Sequence, residues 1–186
     1  MTDRTRNAGL AAALTTVALL GASCAGAAPA PAAPAGTSAA PRSYTAAPVK
    51  ATITFYAAFD NDPSGSTDIA YPGERRRTAG GTGTFEDPIT MATDPREIPI
   101  GGVIYVPGLR KYFVMEDGCG PCVDEWGASR SAHVALWIPG GTDARVGACE
   151  DALSPAAPAA IEYDPPPGRT VDTKPLFAGG RCWPAT

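Results

Sequence analysis

The sequence is poor in charge and has a single histidine, His133. Charged residues make up 18% of the 186 positions, and 15 Lys and Arg against 19 Asp and Glu leave a net charge of −4. A nucleic-acid-binding domain needs a basic face, so this balance argues against nucleic acid as a partner. One histidine, beside cysteines that we expect to be oxidised, leaves no dense set of metal ligands. We therefore predict no metal site and no cofactor.

A convincing long amphipathic helix is also missing after the N-terminal part. Instead, 21 Gly and 20 Pro separate short runs of β-branched and aromatic residues, which is typical of strands divided by turns. Many short strands at close spacing favour a small all-β barrel, which we expect to be a monomer. The clearest predicted strands are residues 51–56, 103–106, 112–115 and 133–138, with shorter ones at 68–71 and 170–177, and residues 94–101 predict one helical turn.

The first 23 residues are predicted to be an export signal. Arg4 and Arg6 precede an uncharged apolar run, 8–22, which is too short to span a bilayer comfortably. Residues 19–24 resemble a bacterial lipoprotein signal, which implies lipidation of Cys24 and a membrane anchor; plain secretion is the alternative. Residues 24–48 are almost all Ala, Pro, Gly, Ser and Thr, which predicts a disordered tether. We expect a secreted protein, or one lipid-anchored at the outer face of the cell membrane.

Four further cysteines predict two disulfides, because an even number of cysteines in an exported domain usually forms a disulfide framework. Three connectivities are possible. We favour the one in which Cys119 and Cys122 each pair with a cysteine of the C-terminal part, Cys149 or Cys182. The Cys-Gly-Pro-Cys run at 119–122 is that of thioredoxin, but a redox role needs a thiolate at a helix N-terminus. Because this run follows a strand in an all-β chain, we interpret it as structural.

Several motifs in order resemble the bacterial 3D (three-aspartate) domain. They are MATDP at 91–95, IPIG at 98–101, IYV at 104–106 and EDG at 116–118. The run 51–56 also resembles the start of expansins, and HVALWIPGG at 133–141 is similar to a motif of family 45 endoglucanases. All of these are double-psi β-barrels, as are rare lipoprotein A and the membrane-bound lytic transglycosylase A. The resemblance implies a six-stranded double-psi β-barrel over residues 49–150, with a disulfide-stapled C-terminal extension, 151–186, packed on it.

The same resemblance assigns the family's aspartates to this chain. Asp94 matches the first and Asp117 the second, but the third position, in the final strand, is Ala135. In the glycan-cleaving relatives this third aspartate is the general acid, which must protonate a poor leaving group. Alanine has no proton to donate. The resemblance therefore implies the barrel fold, but Ala135 puts the glycan-cleaving activity of the family in doubt.

The candidate site is centred on Asp117, which follows a predicted strand and is the candidate catalytic residue. Glu116 should point to the opposite face, because neighbours in a strand alternate. His133 could form a proton-transfer pair with Asp117, although a histidine packed on the barrel is the simpler interpretation. Trp126 lies in a polar stretch and should be exposed. The candidate ligand-binding residues are Tyr56, Asp60, Glu116, Trp126, His133 and Trp137.

Together these observations predict a domain that binds or loosens a cell-wall or plant polysaccharide without hydrolysing it. The groove would cross Asp117, Trp126 and His133. One alternative is a glycan-cleaving enzyme in which Asp60, Glu116 or Asp117 replaces the missing acid. The other is a structural or protein-binding domain that uses the barrel as a scaffold only.

Overall fold

The computed structural model describes residues 47–73, 75–140 and 143–183. The predicted export signal, Cys24 and nearly all of the predicted tether lie outside this part of the chain. Within it, none of the helices has the length and apolar character needed to cross a membrane.

Six strands close into a barrel. The barrel order is β1-β5-β2-β4-β3-β6, in which β1 pairs parallel with β5 and antiparallel with β6, and β2 pairs parallel with β4. This arrangement confirms the mostly β fold with a closed six-stranded barrel. The strands are β1 Val49–Tyr56, β2 Ile89–Thr93, β3 Val103–Val106, β4 Lys111–Gly118, β5 His133–Trp137 and β6 Ala159–Tyr163.

The sixth strand corrects the predicted boundary of the barrel at residue 150. β6 lies in the segment predicted to be an extension, and it closes the barrel between β1 and β3. Only Ile161 of this strand is fully buried, so its apolar signal is weak, and the prolines on both sides hide it. The barrel therefore runs from Val49 to Tyr163 rather than ending at residue 150.

The other short strands that we predicted are only partly present. Residues 68–71 form a single bridge, between Asp68 and Thr78, rather than a strand. The last predicted strand, 170–177, is largely irregular, and a two-stranded hairpin follows its end. The hairpin consists of β7 Phe177–Ala178 and β8 Arg181–Cys182.

Two short helices were not predicted. α1 spans Gly120–Ser129 and α2 spans Arg145–Leu153. α1 contains Gly120, Pro121 and Gly127 and buries only Cys122, so it has no apolar stripe that a periodicity search could find. α2 buries Val146, Cys149, Glu150 and Leu153, a helical spacing that is partly hidden because one member is charged.

The barrel core follows from strand alternation. In β1, Ala51, Ile53 and Phe55 are buried, while the residues between them are half-exposed. This two-residue period is what a strand with one buried face requires. The outward face of β1, formed by Thr52, Thr54 and Tyr56, is consequently left free to line a site.

Two disulfides are present, as predicted, but their pairing differs from the one we favoured. Cys119 pairs with Cys122, and Cys149 pairs with Cys182. The first pairing is local because Cys119 is the N-cap of α1 and Cys122 lies in its first turn, which places their Cα atoms 5.2 Å apart. The second joins α2 to β8, so it still ties the C-terminal segment to the domain.

Candidate functional site

A cavity of about 420 Å³ lies at the outward face of β1 and β5. We call it the groove. Its walls come from β1, β2, β5, the loop after β1 and the N-terminus of α1. The lining residues are Thr54, Phe55, Tyr56, Asp60, Asn61, Asp62, Ala92, Gly118, Cys119, Gly120, Pro121, His133 and Ala135.

Asp117 is anchored at the edge of the groove by three donors. The Tyr56 hydroxyl donates to its Oδ2 at 2.7 Å, and the backbone N–H groups of Ala70 and Gly118 donate to Oδ1 at 2.9 and 2.8 Å. The carboxylate is 5% exposed. Carboxylate oxygens accept hydrogen bonds, so these three donors fix the position of the Asp117 side chain. The structure therefore brings together two predicted site residues, Tyr56 and Asp117.

A β-bulge decides the placement of Glu116. The pairing of β2 with β4 shifts between Met91 and Ala92, so that Met91 pairs with Met115 but Ala92 pairs with Asp117. The extra residue is Glu116, and its carboxylate accepts a 2.6 Å hydrogen bond from Thr90. Thr90 and Ala92 share one face of β2, so Glu116 and Asp117 both lie on the outer face. The predicted alternation of these two carboxylates is wrong because the bulge interrupts it.

Glu116 is occupied by a buried ion pair that the sequence did not indicate. Arg76 Nε lies 3.1 Å from its Oε1, as a charge contact rather than a directed hydrogen bond, and Arg76 also contacts Asp87. Burial raises the pKa of Glu116, and the bond from Thr90 and the charge of Arg76 oppose that rise. Glu116 does not line the groove. It is a structural partner of Arg76, in the loop between β1 and β2.

Tyr56 and Trp137 form an edge-to-face aromatic pair, with ring centroids 5.2 Å apart. Trp137 is only 2% exposed, so it supports Tyr56 from behind and offers no stacking surface to a ligand. Tyr56 is half-buried and lines the groove. Burial, and next the charge of Asp117, raise the pKa of Tyr56 well above its usual range, so its hydroxyl remains a donor at neutral pH.

His133 does not pair with Asp117. Its Nε2 lies 3.0 Å from Thr54 Oγ1, and its Nδ1 lies 3.2 Å from a carboxylate oxygen of Glu125 on α1, as a charge contact. The side chain is largely buried where β5 begins. His133 therefore lines the groove as a positioned polar residue that contacts both β1 and α1.

Trp126 lies outside the groove. It belongs to α1 rather than to a polar loop, is half-buried, and carries the Arg130 guanidinium 5.6 Å from its ring centroid. It lines a second cavity of about 480 Å³, together with Arg130 and Thr52. Because Thr52 and Thr54 share the outward face of β1, the two cavities adjoin along that strand. We call this second cavity the Trp126 cavity.

Asp94 and Asp60 act mainly on local backbone. Asp94 is fully buried, accepts a hydrogen bond from the Arg96 backbone N–H at 2.7 Å, and pairs with the Arg96 guanidinium. The hydrogen bond from the Arg96 side chain lowers the pKa of Asp94. Asp94 caps the turn that follows β2, as predicted. Asp60 is exposed, lines the groove and accepts a 2.8 Å hydrogen bond from the Ala57 N–H.

Small side chains form the floor of the groove. Ala92 and Ala135 pack together with Cys122 in a cluster that Tyr56 and Cys119 border. Ala135 is 9% exposed and faces the groove. No sequence signal identified Ala92 as a lining residue, although it pairs with Ala135 across β2 and β5. Thr54 could have been found from its two-residue spacing to Tyr56.

Comparison with known proteins places the chain in a family. Residues 48–183 match the DDB_G0273701 N-terminal domain. The chain belongs to this family. A relative from Dictyostelium discoideum, described as uncharacterized protein DDB_G0273701/DDB_G0273221, is 40% identical over 137 residues, which is 72% of this chain. The chain spans 60% of the length of that relative. No solved structure matches the chain.

The matched region of the DDB_G0273701 N-terminal domain contains all the strands and helices of the described part of the chain. It begins one residue before β1 and ends one residue after β8. It therefore includes the barrel, both helices, the hairpin and both disulfides. The groove and the Trp126 cavity both belong to this domain.

Proposed function

We propose that this domain is a double-psi β-barrel that binds a cell-wall or plant polysaccharide without cleaving it. The ligand would lie along the outward face of β1, across the groove and the adjoining Trp126 cavity. The order of the MATDP, IPIG and EDG motifs supports the barrel type, and the closed six-stranded barrel is compatible with it.

The polar lining of this face supports an extended, hydroxyl-rich ligand. Thr52, Thr54 and Tyr56 repeat along β1 at a spacing of roughly 6.6 Å, because each strand residue advances about 3.3 Å. Asp60 and His133 add a carboxylate and an imidazole beside this row. Such a row of donors and acceptors suits sugar hydroxyl groups better than an apolar ligand.

The hydrogen bonds that Asp117 accepts are the main support for binding without hydrolysis. Three donors already occupy its carboxylate oxygens, and the residue at the expected acid position is Ala135. Glycoside hydrolysis needs a carboxylic acid that can protonate the leaving oxygen. A positioned acid contributes about 10²–10⁴-fold to the rate, and Asp117 is badly arranged to supply it.

The test measures binding and cleavage on the same polymers. The full chain is incubated with insoluble peptidoglycan, cellulose and chitin, and we expect it to co-sediment with at least one of them and to release no reducing ends. Tyr56→Phe and Thr54→Ala should each weaken binding several-fold, because each removes a groove hydroxyl. Arg169→Ala, whose side chain pairs with Glu162 away from the groove, is the matched control.

Two outcomes would overturn this proposal. Absence of binding to all three polymers would favour a scaffold or protein-binding domain. Cleavage of a polymer by the wild type that is lost in Asp117→Asn would make the domain a glycan-cleaving enzyme with Asp117 as its acid.

A further inference from the structure

We propose that the Cys119–Cys122 disulfide is a redox-active centre, which accepts two electrons from a substrate dithiol that reaches it through the groove. This activity is independent of polysaccharide binding. It concerns the Cys-Gly-Pro-Cys run, which sequence reasoning interpreted as structural because no helix was expected after β4. The structure places a ten-residue helix there, with Cys119 as its N-cap.

The two sulfur atoms differ in access. Cys122 is 0% exposed and packs between Ala92 and Ala135, whereas Cys119 is half-exposed and lines the groove. Gly118, Gly120 and Pro121, which surround Cys119 in the chain, are exposed and small. An incoming thiolate can therefore approach Cys119, while Cys122 is protected. This asymmetry gives the pair one attacked sulfur and one leaving sulfur.

The helix N-terminus favours the thiolate that reduction would create at Cys119. Its Sγ already accepts a hydrogen bond from the Cys122 backbone N–H at 3.1 Å, and the first turn of α1 carries no acidic residue. The backbone donors and the dipole at a helix N-terminus stabilise a thiolate. Asp117, two residues earlier, opposes this, but three donors already engage its charge. Stabilising the reduced form makes such a pair an oxidant of other thiols.

The exchange balances as two successive substitutions at sulfur. A substrate thiolate attacks Cys119 Sγ, the Cys119–Cys122 bond breaks, and Cys122 leaves as a thiolate that takes up a proton. The second substrate thiolate then attacks the substrate sulfur of the mixed disulfide and releases the Cys119 thiolate. The substrate dithiol becomes a disulfide, and the protein gains two electrons. A disulfide such as oxidised glutathione restores the Cys119–Cys122 bond by the reverse exchange.

The second disulfide serves as an internal reference. Cys149 is 1% exposed on α2 and joins β8 across a separation of 33 residues, so it is a structural link. The full chain is equilibrated at pH 7 in mixtures of reduced and oxidised glutathione, quenched with acid, alkylated and mapped by mass spectrometry. We expect Cys119–Cys122 to become a dithiol at ratios where Cys149–Cys182 stays oxidised and the circular dichroism is unchanged. Reduction of Cys119–Cys122 only together with Cys149–Cys182, or only on unfolding, would overturn the proposal.

Two single variants test which sulfur is attacked. In Cys122→Ser, Cys119 is free, and we expect it to form a mixed disulfide with oxidised glutathione at least about 10-fold faster than Cys122 does in Cys119→Ser, because only Cys119 is accessible and lies at the helix N-terminus. Equal rates in the two variants would contradict the assignment. Each folded variant is compared with the same protein in denaturant, where the two cysteines should react alike.

Turnover is measured with a short peptide that carries two cysteines as the probe. Catalytic amounts of the full chain, with oxidised glutathione as the final oxidant, should speed disulfide formation in the peptide at least about 10-fold over glutathione alone. Cys119→Ser should abolish the acceleration, and Arg169→Ala should retain it. An unaccelerated reaction with folded wild-type protein would overturn the proposal, whatever the result of the polysaccharide assay.

Discussion

Titration of the Glu150 carboxyl should couple to folding between acidic and neutral pH. Burial, and next the charges of Asp60 and Asp151, raise the pKa of its carboxyl to about 7. Among the described residues, none donates a hydrogen bond to its Oε1. In the unfolded chain a glutamate has a pKa of about 4.3. The folded state therefore holds the proton to higher pH, so this contribution is complete below about pH 4 and is lost as the pH rises towards about 7.

We expect the free energy of unfolding to fall by roughly 2–3 kcal/mol between about pH 4.5 and pH 7.5 from this group. Urea denaturation across that range should show the decline in the wild type and a shallower one in Glu150→Gln. Glu97 and Glu116, whose pKa values burial also raises, leave a residual slope of the same sign. The exposed Glu86→Gln is the control and should retain the wild-type slope. An unchanged slope in Glu150→Gln would contradict the prediction.

Individual side chains also show how far sequence reasoning reaches into the site. Tyr56 and Asp117 were both selected, and the structure joins them by a hydrogen bond, because both lie at strand ends on the same side of the barrel. Trp126 and Trp137 were selected as aromatics, but one lies in the Trp126 cavity and the other is buried. Side-chain direction depends on tertiary neighbours, and a single sequence does not contain them.

Strands with strong two-residue periodicity were the elements that the sequence predicted well. β1, β3, β4 and β5 were predicted from runs of apolar, β-branched and aromatic residues, whereas β2, Ile89–Thr93, was not assigned as a strand. β6 and the two helices were missed because each buries few apolar residues, so tertiary packing rather than pattern holds them. The bulge in β4 was missed for a similar reason, because it is defined only by the pairing of β4 with β2.

The loop between β1 and β2 depends on a glycine at a close approach. Gly81 has a φ of +106°, and a Cβ there would lie 2.2 Å from the Pro88 carbonyl oxygen, which is backbone and cannot move aside. We expect Gly81→Ala to lower the free energy of unfolding by about 2–4 kcal/mol, from strain and overpacking together. Gly108→Ala, where a Cβ meets nothing within 4 Å, should change stability by less than about 0.5 kcal/mol. Thermal melts of both variants test this, and equal melting temperatures would contradict it.

For the molecule as a whole, the two disulfides bear on the environment in which the protein works. We propose that it is exported, as the N-terminal segment and the two disulfides both favour. If Cys24 is lipidated, Cys24→Ala should move the protein from the membrane fraction to the medium of the expressing cells. Recovery of the wild type wholly in the medium would contradict the anchor and leave plain secretion.

The two disulfides should contribute unequally to the stability of the folded domain. In the chain-entropy description, a cross-link stabilises by restricting the unfolded chain, and the effect grows with the length of the closed loop. Cys149–Cys182 spans 33 residues and Cys119–Cys122 spans 3, which gives about 4 and about 2 kcal/mol. We expect Cys149→Ala/Cys182→Ala to lower the free energy of unfolding clearly more than Cys119→Ala/Cys122→Ala, as measured by urea denaturation. Because Cys149 is buried and Cys182 packs against the core, lost packing adds to the first loss. A larger loss of stability in Cys119→Ala/Cys122→Ala would show that Cys119–Cys122 is the principal structural link. It would also argue against a redox role for that disulfide.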